Sequence, residues 1–278
     1  MKKSITVLVL AFLPFLLSAQ YTIPQDTLSR FDLLKIDGSN AVGSVLHAYA
    51  GPARWKKNDW LTVGGIALGT FGLFLLDEKV HPHFTKRNKS VPNLLQDAAF
   101  YFGKPQYNYG LTAAVYTFGW LTKNEKIRET GVLLIASATT AGLIQTVSKS
   151  ALGRARPSAG VGNSEFDFFN GTPNYHSFPS GHAILAFTTA HALAKQTRSP
   201  WLKAGIYTLG SITPISRLWT NAHWISDIGL SVAISVVAVD SVYNYLKRRG
   251  DYGTANKTTG IQWRLSGGLN GVGLVGHF

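Results

Sequence analysis

From Leu61 to Leu76 the chain runs for sixteen residues without a charge, and Asp77-Glu78 ends the run. As a helix this stretch is about 24 Å long, close to the ~30 Å of a bilayer core but short of it. Five more segments carry the helical pattern of apolar and small residues: 107–121, 131–147, 181–195, 202–215 and 224–246. Six such segments leave little room for a sheet. Only 15% of residues are charged, against about 25% in an average soluble domain. The segments therefore bury one another or face lipid, and Leu61–Leu76 is the best lipid-facing candidate.

The remaining stretches divide the chain. Lys2 and Lys3, the apolar run Ile5–Leu17 and the small residues Ser18-Ala19 read as a secretory signal over 1–19. Residues 20–60 are an N-terminal extension, expected to be irregular apart from a short helix near Ala41–Ala50. Residues 61–250 form the main domain. Within it, Pro82, Pro92 and Pro105 break a polar stretch around a short helix at Leu94–Tyr101. Residues 153–178 read as a long loop, and a loop that long inside a compact domain is usually functional. After a basic linker, 258–278 is expected to form a β-hairpin: Ile261, Trp263 and Leu265 alternate before the turn signal Asn270-Gly271.

The net charge of +13 suits an anionic membrane surface or anionic substrates. The basic residues are scattered, without the dense basic helix of a nucleic-acid reader, so nucleic acid is not expected as a partner. There is no cysteine, which excludes disulfides, thiolate catalysis and thiolate-bound metal.

The polar residues that interrupt the apolar segments fall into three groups. Lys149 ends the fourth segment, and Arg156-Pro157 follow in a K-x6-R-P spacing, with Arg154 nearby. Pro179-Ser180-Gly181-His182 opens the next helix, where free backbone N–H groups favour an anion. Ser216-Arg217 precede His223 and Asp227 in an S-R-x5-H-x3-D spacing. Four residues apart on a helix, His223 and Asp227 share one face, so the carboxylate can orient one ring nitrogen and leave the other for chemistry. Together these residues fit a phosphoryl group. Lys149, Arg156 and Arg217 neutralise its charge, and the Ser180 hydroxyl and Gly181 N–H donate to it. His223 can attack phosphorus, and His182 can protonate the leaving oxygen and then activate water. Fixed cations do the work of a metal here, and no Asp/Glu or His cluster suited to one is evident.

In these three ordered motifs the chain resembles the type 2 phosphatidic acid phosphatase (PAP2) superfamily, which also contains bacterial acid phosphatases and vanadium haloperoxidases. The resemblance covers about residues 100–246. It implies an all-α helical bundle of about six core helices and metal-independent phosphate ester hydrolysis through a phosphohistidine. Catalytic roles fall on His223, His182 and Asp227, and phosphate-binding roles on Lys149, Arg156, Ser180, Gly181 and Arg217. No cofactor is implied.

The expected substrates are phosphate monoesters or pyrophosphates of envelope lipids. The alternatives are a soluble periplasmic acid phosphatase, a vanadate-dependent haloperoxidase, or a non-catalytic envelope module. Lys and Arg concentrate in 123–128, 195–203 and 247–249, opposite the motifs, which places the site on the non-cytoplasmic side. A cleaved signal and six full crossings would place it inside, so both cannot hold. Among the other histidines, His191 is expected to be packed, His47, His81 and His83 to be solvated, and His176 to lie near the site.

Overall fold

The computed structural model describes residues 28–252, 262–268 and 271–277. The proposed signal segment 1–19 lies outside them. The described chain is mostly helical: α1 (Arg30–Tyr49), α2 (Lys57–Phe74), α3 (Asp77–Thr85), α4 (Asn93–Gly103), α5 (Pro105–Leu121), α6 (Glu125–Leu152), α7 (Gly181–Lys195), α8 (Pro200–Trp219) and α9 (Ile225–Arg249). Gln262–Gly268 (β1) and Gly271–His277 (β2) run antiparallel, with Leu265 opposite Leu274.

The core sits where α6, α7 and α9 meet, closed by α8. Leu133, Ala136, Ala190, Leu193, Ile206, Val239, Val242 and Leu246 are all buried there. Serine hydroxyls join α7 to α9. Ser231 Oγ accepts from Ser180 N at 2.8 Å, and Ser235 Oγ donates to Ile184 O at 3.1 Å. Small polar residues of this kind let helices approach closely without stranding a buried donor.

The N-terminal extension differs from its expected irregularity, because α1 is a twenty-residue helix. Ser29 caps it by accepting from Asp32 N at 3.2 Å, a contact worth about 1 kcal/mol. Its polar Asp37 is buried and holds Arg128 of α6 through two bonds of 2.8 and 2.9 Å. Gly43 is a contact point: a Cβ there would lie 2.3 Å from the Tyr245 hydroxyl of α9. Tertiary partners, invisible to local propensity, decide this helix.

No residue of α2 is buried by the described chain. Trp60, Leu61, Leu68 and Phe71 are all more than half exposed, as expected for a lipid-facing element. After α2 the chain bends by 64° into the segment Asp77–Ser90. Among the described residues α6 and α9 are long and apolar enough to cross a membrane, and the bent pair adds a third if it is one span. Six full crossings do not follow: α5 and α7 have 17 and 15 residues, about 26 and 22 Å.

Candidate active site

Four helix ends converge at one end of the bundle: the C-termini of α6 and α8 and the N-termini of α7 and α9. The long loop 153–178 joins them. It begins at Gly153, whose φ of +54° ends α6 in the left-handed region. A Cβ at Gly153 would lie 1.6 Å from Asp167 O, so only glycine fits this turn. The loop then folds back on itself. Asp167 N donates to Gly153 O at 2.8 Å, Arg156 N to Asn174 O at 2.8 Å, and Ser177 N to Arg154 O at 3.0 Å.

His223 does not stand on a helix with Asp227, as its spacing suggested. It lies in the turn before α9, and Asp227 occupies the first turn of that helix. The reason is capping: Asp227 Oδ2 accepts from Trp224 N at 2.8 Å and starts the helix after His223. The pair is still brought together, with His223 Nδ1 3.4 Å from Asp227 Oδ2. A shorter bond of 2.7 Å joins Nδ1 to the Ser177 carbonyl. A carbonyl can only accept, so Nδ1 carries the proton and Nε2 keeps its lone pair. Trp224 packs beneath this turn and donates from Nε1 to Ala155 O at 2.9 Å.

Asp227 is fully buried and saturated. Oδ1 accepts from Arg154 Nη1 at 2.6 Å, and Oδ2 accepts from the Ser177 hydroxyl as well as from Trp224 N. Arg154 therefore lies behind Asp227, in contact with it and with Asp77. The K-x6-R-P spacing singled out Arg156 and gave Arg154 no role. The signal for Asp77 was faint, the first of two acids that end an apolar run.

The other cations gather in front of the histidine. Burial and the repulsion of Arg156 lower Arg217 to about 10. Its Nε and Nη2 hold the Ser216 hydroxyl at 3.0 and 2.9 Å, and its guanidinium lies 5.5 Å over the Phe100 ring. His182, in the first turn of α7, lies tilted against the same ring with centroids 5.2 Å apart. Burial lowers its pKa to about 3, helped by Arg217, His223, Lys149 and Arg156. These couplings place the five groups in one cluster. Ser180 caps α7, its hydroxyl accepting from Ala183 N. Gly181 packs against α6, where a Cβ would sit 3.3 Å from Gln145 Oε1. His182 Nε2 and Arg156 Nε are buried and unpartnered among the described residues. A cationic cluster with a buried, unpartnered guanidinium N–H is suited to an anion.

The leftover histidines divide differently from expectation. His191 is tied to the Tyr207 hydroxyl at 2.7 Å and to Asp240 at 3.0 Å, a packed role as read from sequence. His81 is not merely solvated: it bonds Asn221 and lies 5.3 Å from the Trp224 ring. The ring of His176 bonds Asn170 O at 3.0 Å within its own loop. Phe168 and Phe169 are exposed at the loop tip, and Phe166 packs over Arg154.

Burial lowers His223 to about 4, against the pull of Asp227. Both histidines thus sit below the ordinary 6.5. Between pH 6.5 and about 4 the unfolded chain binds protons that the folded chain refuses, so stability rises with pH across this window and falls on acidification. Each fully displaced proton costs about 1.4 kcal/mol per pH unit, less at the partly exposed His182. A melting temperature measured in detergent is expected to drop by several degrees from pH 7 to 5. A flat profile there contradicts two neutral histidines.

Fold and site together define a mostly helical protein with a cluster of histidines and cations at one end of the bundle. Residues 130–251 of this chain match the family model of the PAP2 superfamily. The chain is 32% identical over 115 residues to a lipid A 1-phosphatase of Porphyromonas gingivalis, covering 41% of this chain and 22% of the relative. A lipid A 1-phosphatase of Rhizobium etli is 28% identical over 200 residues, 64% of this chain and 78% of the relative. An undecaprenyl-diphosphatase of Sulfolobus acidocaldarius is 30% identical over 114 residues, 37% of this chain and 49% of the relative. The chain thus spans about a fifth of the length of the first relative and half of the third.

Proposed function

We propose that this chain is a phosphoric ester hydrolase that removes phosphate from membrane lipids through a phosphohistidine. The observation that carries the reading is the proton on His223 Nδ1, fixed by the Ser177 carbonyl, which leaves Nε2 as a lone-pair nucleophile. Nε2 attacks phosphorus as the bond to the lipid oxygen breaks. His182, protonated once the phosphate offsets the surrounding cations, gives its proton to the departing oxygen. In the second step His182 takes a proton from water, the hydroxide attacks phosphorus, and the N–P bond breaks to release phosphate. Lys149, Arg156 and Arg217, with Ser180 and the Gly181 N–H, hold the equatorial oxygens throughout. Asp227 stabilises the positive charge that the His223 ring gains on attack.

The lipid part of the reading rests on the exposed apolar faces of α2 and on the names of the relatives, two of which act on lipid A and one on an isoprenyl pyrophosphate. The basic termini Lys195 and Lys247–Arg249, at the far ends of α7 and α9, favour a non-cytoplasmic site. Phosphate release from detergent-solubilised protein tests the proposal, with a lipid A 1-phosphate, an isoprenyl pyrophosphate, phosphatidate and p-nitrophenyl phosphate side by side. The expected result is turnover of at least one lipid far faster than of the small ester. A preference for the small ester, with extraction in the absence of detergent, supports the soluble acid phosphatase instead.

A further inference from the structure

Asp77 lies outside all three motifs, yet it sits at the bend between α2 and α3 and reaches the rear of the site. Its Oδ2 accepts from Arg154 Nη2 at 2.6 Å and from the Ser226 hydroxyl at 2.7 Å, and its Oδ1 accepts from Ser226 N at 2.9 Å. The other end of the same guanidinium, Nη1, donates to Asp227 Oδ1 at 2.6 Å and to Ser226 Oγ at 2.8 Å. All four side chains are buried. The rings of Phe74, Phe166, Phe178 and Trp224 lie 4.9–5.8 Å from the guanidinium carbon, and they keep water from the cluster.

The charges do not cancel. One cation, Arg154, is shared by two carboxylates, so the cluster carries one net negative charge. If Arg154 had Asp227 alone, their pairing would neutralise the carboxylate that faces the nucleophile. Asp77 takes half of the guanidinium and leaves Asp227 with charge to offer His223. We propose that Asp77 is a positioning residue of the reaction: by holding Arg154 and Ser226 from behind, it fixes the Asp227 carboxylate and keeps its charge available to the His223 ring. The proposal rests on His223 being the nucleophile. It also ties the lipid-facing α2, whose last turn leads into Asp77, to the atom that orients the attack.

Asp77→Asn tests this in the solubilised full chain, using whichever of the four esters above the wild type turns over fastest. The groups facing His223 are Asp227 on α9, Lys149 on α6, Arg156 in the loop, His182 on α7 and Arg217 on α8, and none of them is altered. The expected result is a fall in kcat of about tenfold to a hundredfold, with KM within about threefold. The acid limb of the kcat/KM profile moves to lower pH, because Arg154 then draws the whole of Asp227 and His223 becomes less basic. A wild-type kcat, or a fall in kcat with an unmoved acid limb, overturns the inference. Where Asp77→Asn does not fold, Ser226→Ala carries the test, since it keeps both ion pairs and loses only the bridging hydroxyl. It is expected to lower kcat about threefold with an unchanged melting temperature, and an unchanged kcat overturns the inference. His223→Ala separates the two levels. An inactive His223→Ala beside a wild-type Asp77→Asn sinks this inference alone, whereas an active His223→Ala sinks the reading of the site on which it stands.

Discussion

His223→Ala is expected to lower phosphate release by at least ~10⁴-fold while the protein still folds and binds phosphate. Loss of a nucleophile that acts as one unit with its partners removes nearly the whole chemical step, leaving only what binding and the cations supply. Folding should survive because the ring is a neutral group with one backbone partner, the Ser177 carbonyl. Its removal strands one acceptor, a cost of about 1–3 kcal/mol. The cationic cluster of Lys149, Arg156 and Arg217 remains, so phosphate should inhibit or protect the variant and the wild type to a similar degree. Measured kcat for the preferred ester, together with phosphate-dependent melting, decides the matter. Residual activity above about 1% contradicts a phosphohistidine at this position.

Arg154→Met is expected to cost more in stability than in any other respect. It removes the cation from between Asp77 and Asp227, both fully buried, and leaves two carboxylates facing each other in an apolar, aromatic shell. Breaking a buried ion pair from one side costs about 3–5 kcal/mol, here about 10 °C of melting temperature. The pH dependence should also flatten. Without Arg154 one carboxylate takes up a proton on folding, so its folded pKa lies above its unfolded value. Its penalty then disappears below the unfolded pKa and grows as pH rises through the folded one. The variant should therefore lose less stability toward pH 5 than the wild type does. A variant that melts with the wild type at pH 7 shows that the cluster is not the anchor proposed here.

Much of this site was legible in the sequence because its residues are of types that apolar segments do not otherwise tolerate. Lys149, Arg156, Ser180, His182, Arg217, His223 and Asp227 stand out against their surroundings, and the structure gathers them at four helix ends. What spacing could not supply was the local backbone. The interval from His223 to Asp227 looked helical, but it spans a helix start, because Asp227 spends one oxygen on the Trp224 N–H. Ser177 and Ser226 were lost among many serines, since nothing in a hydroxyl residue announces a distant partner. The K-x6-R-P spacing picked out Arg156, but only the fold of the 153–178 loop shows that Arg154 goes behind Asp227. In the fold as a whole, α1 was the largest surprise. Its Asp37, Asn40 and glycines read as loop residues until the partners Arg128 and Tyr245 are in place.

The acceptor that fixes His223 is a main-chain oxygen. No substitution at position 177 can delete it, unlike the side-chain partners of Asp227. The reactive tautomer is instead inherited from the path of the backbone, and that path is set by Gly153, by the Arg154–Ser177 bond and by the length of chain between them. Mutational drift in this protein therefore has an uneven target. Point changes along the outer loop leave the tautomer in place, while insertions or deletions between 157 and 175 act directly on the chemistry of a histidine they never touch.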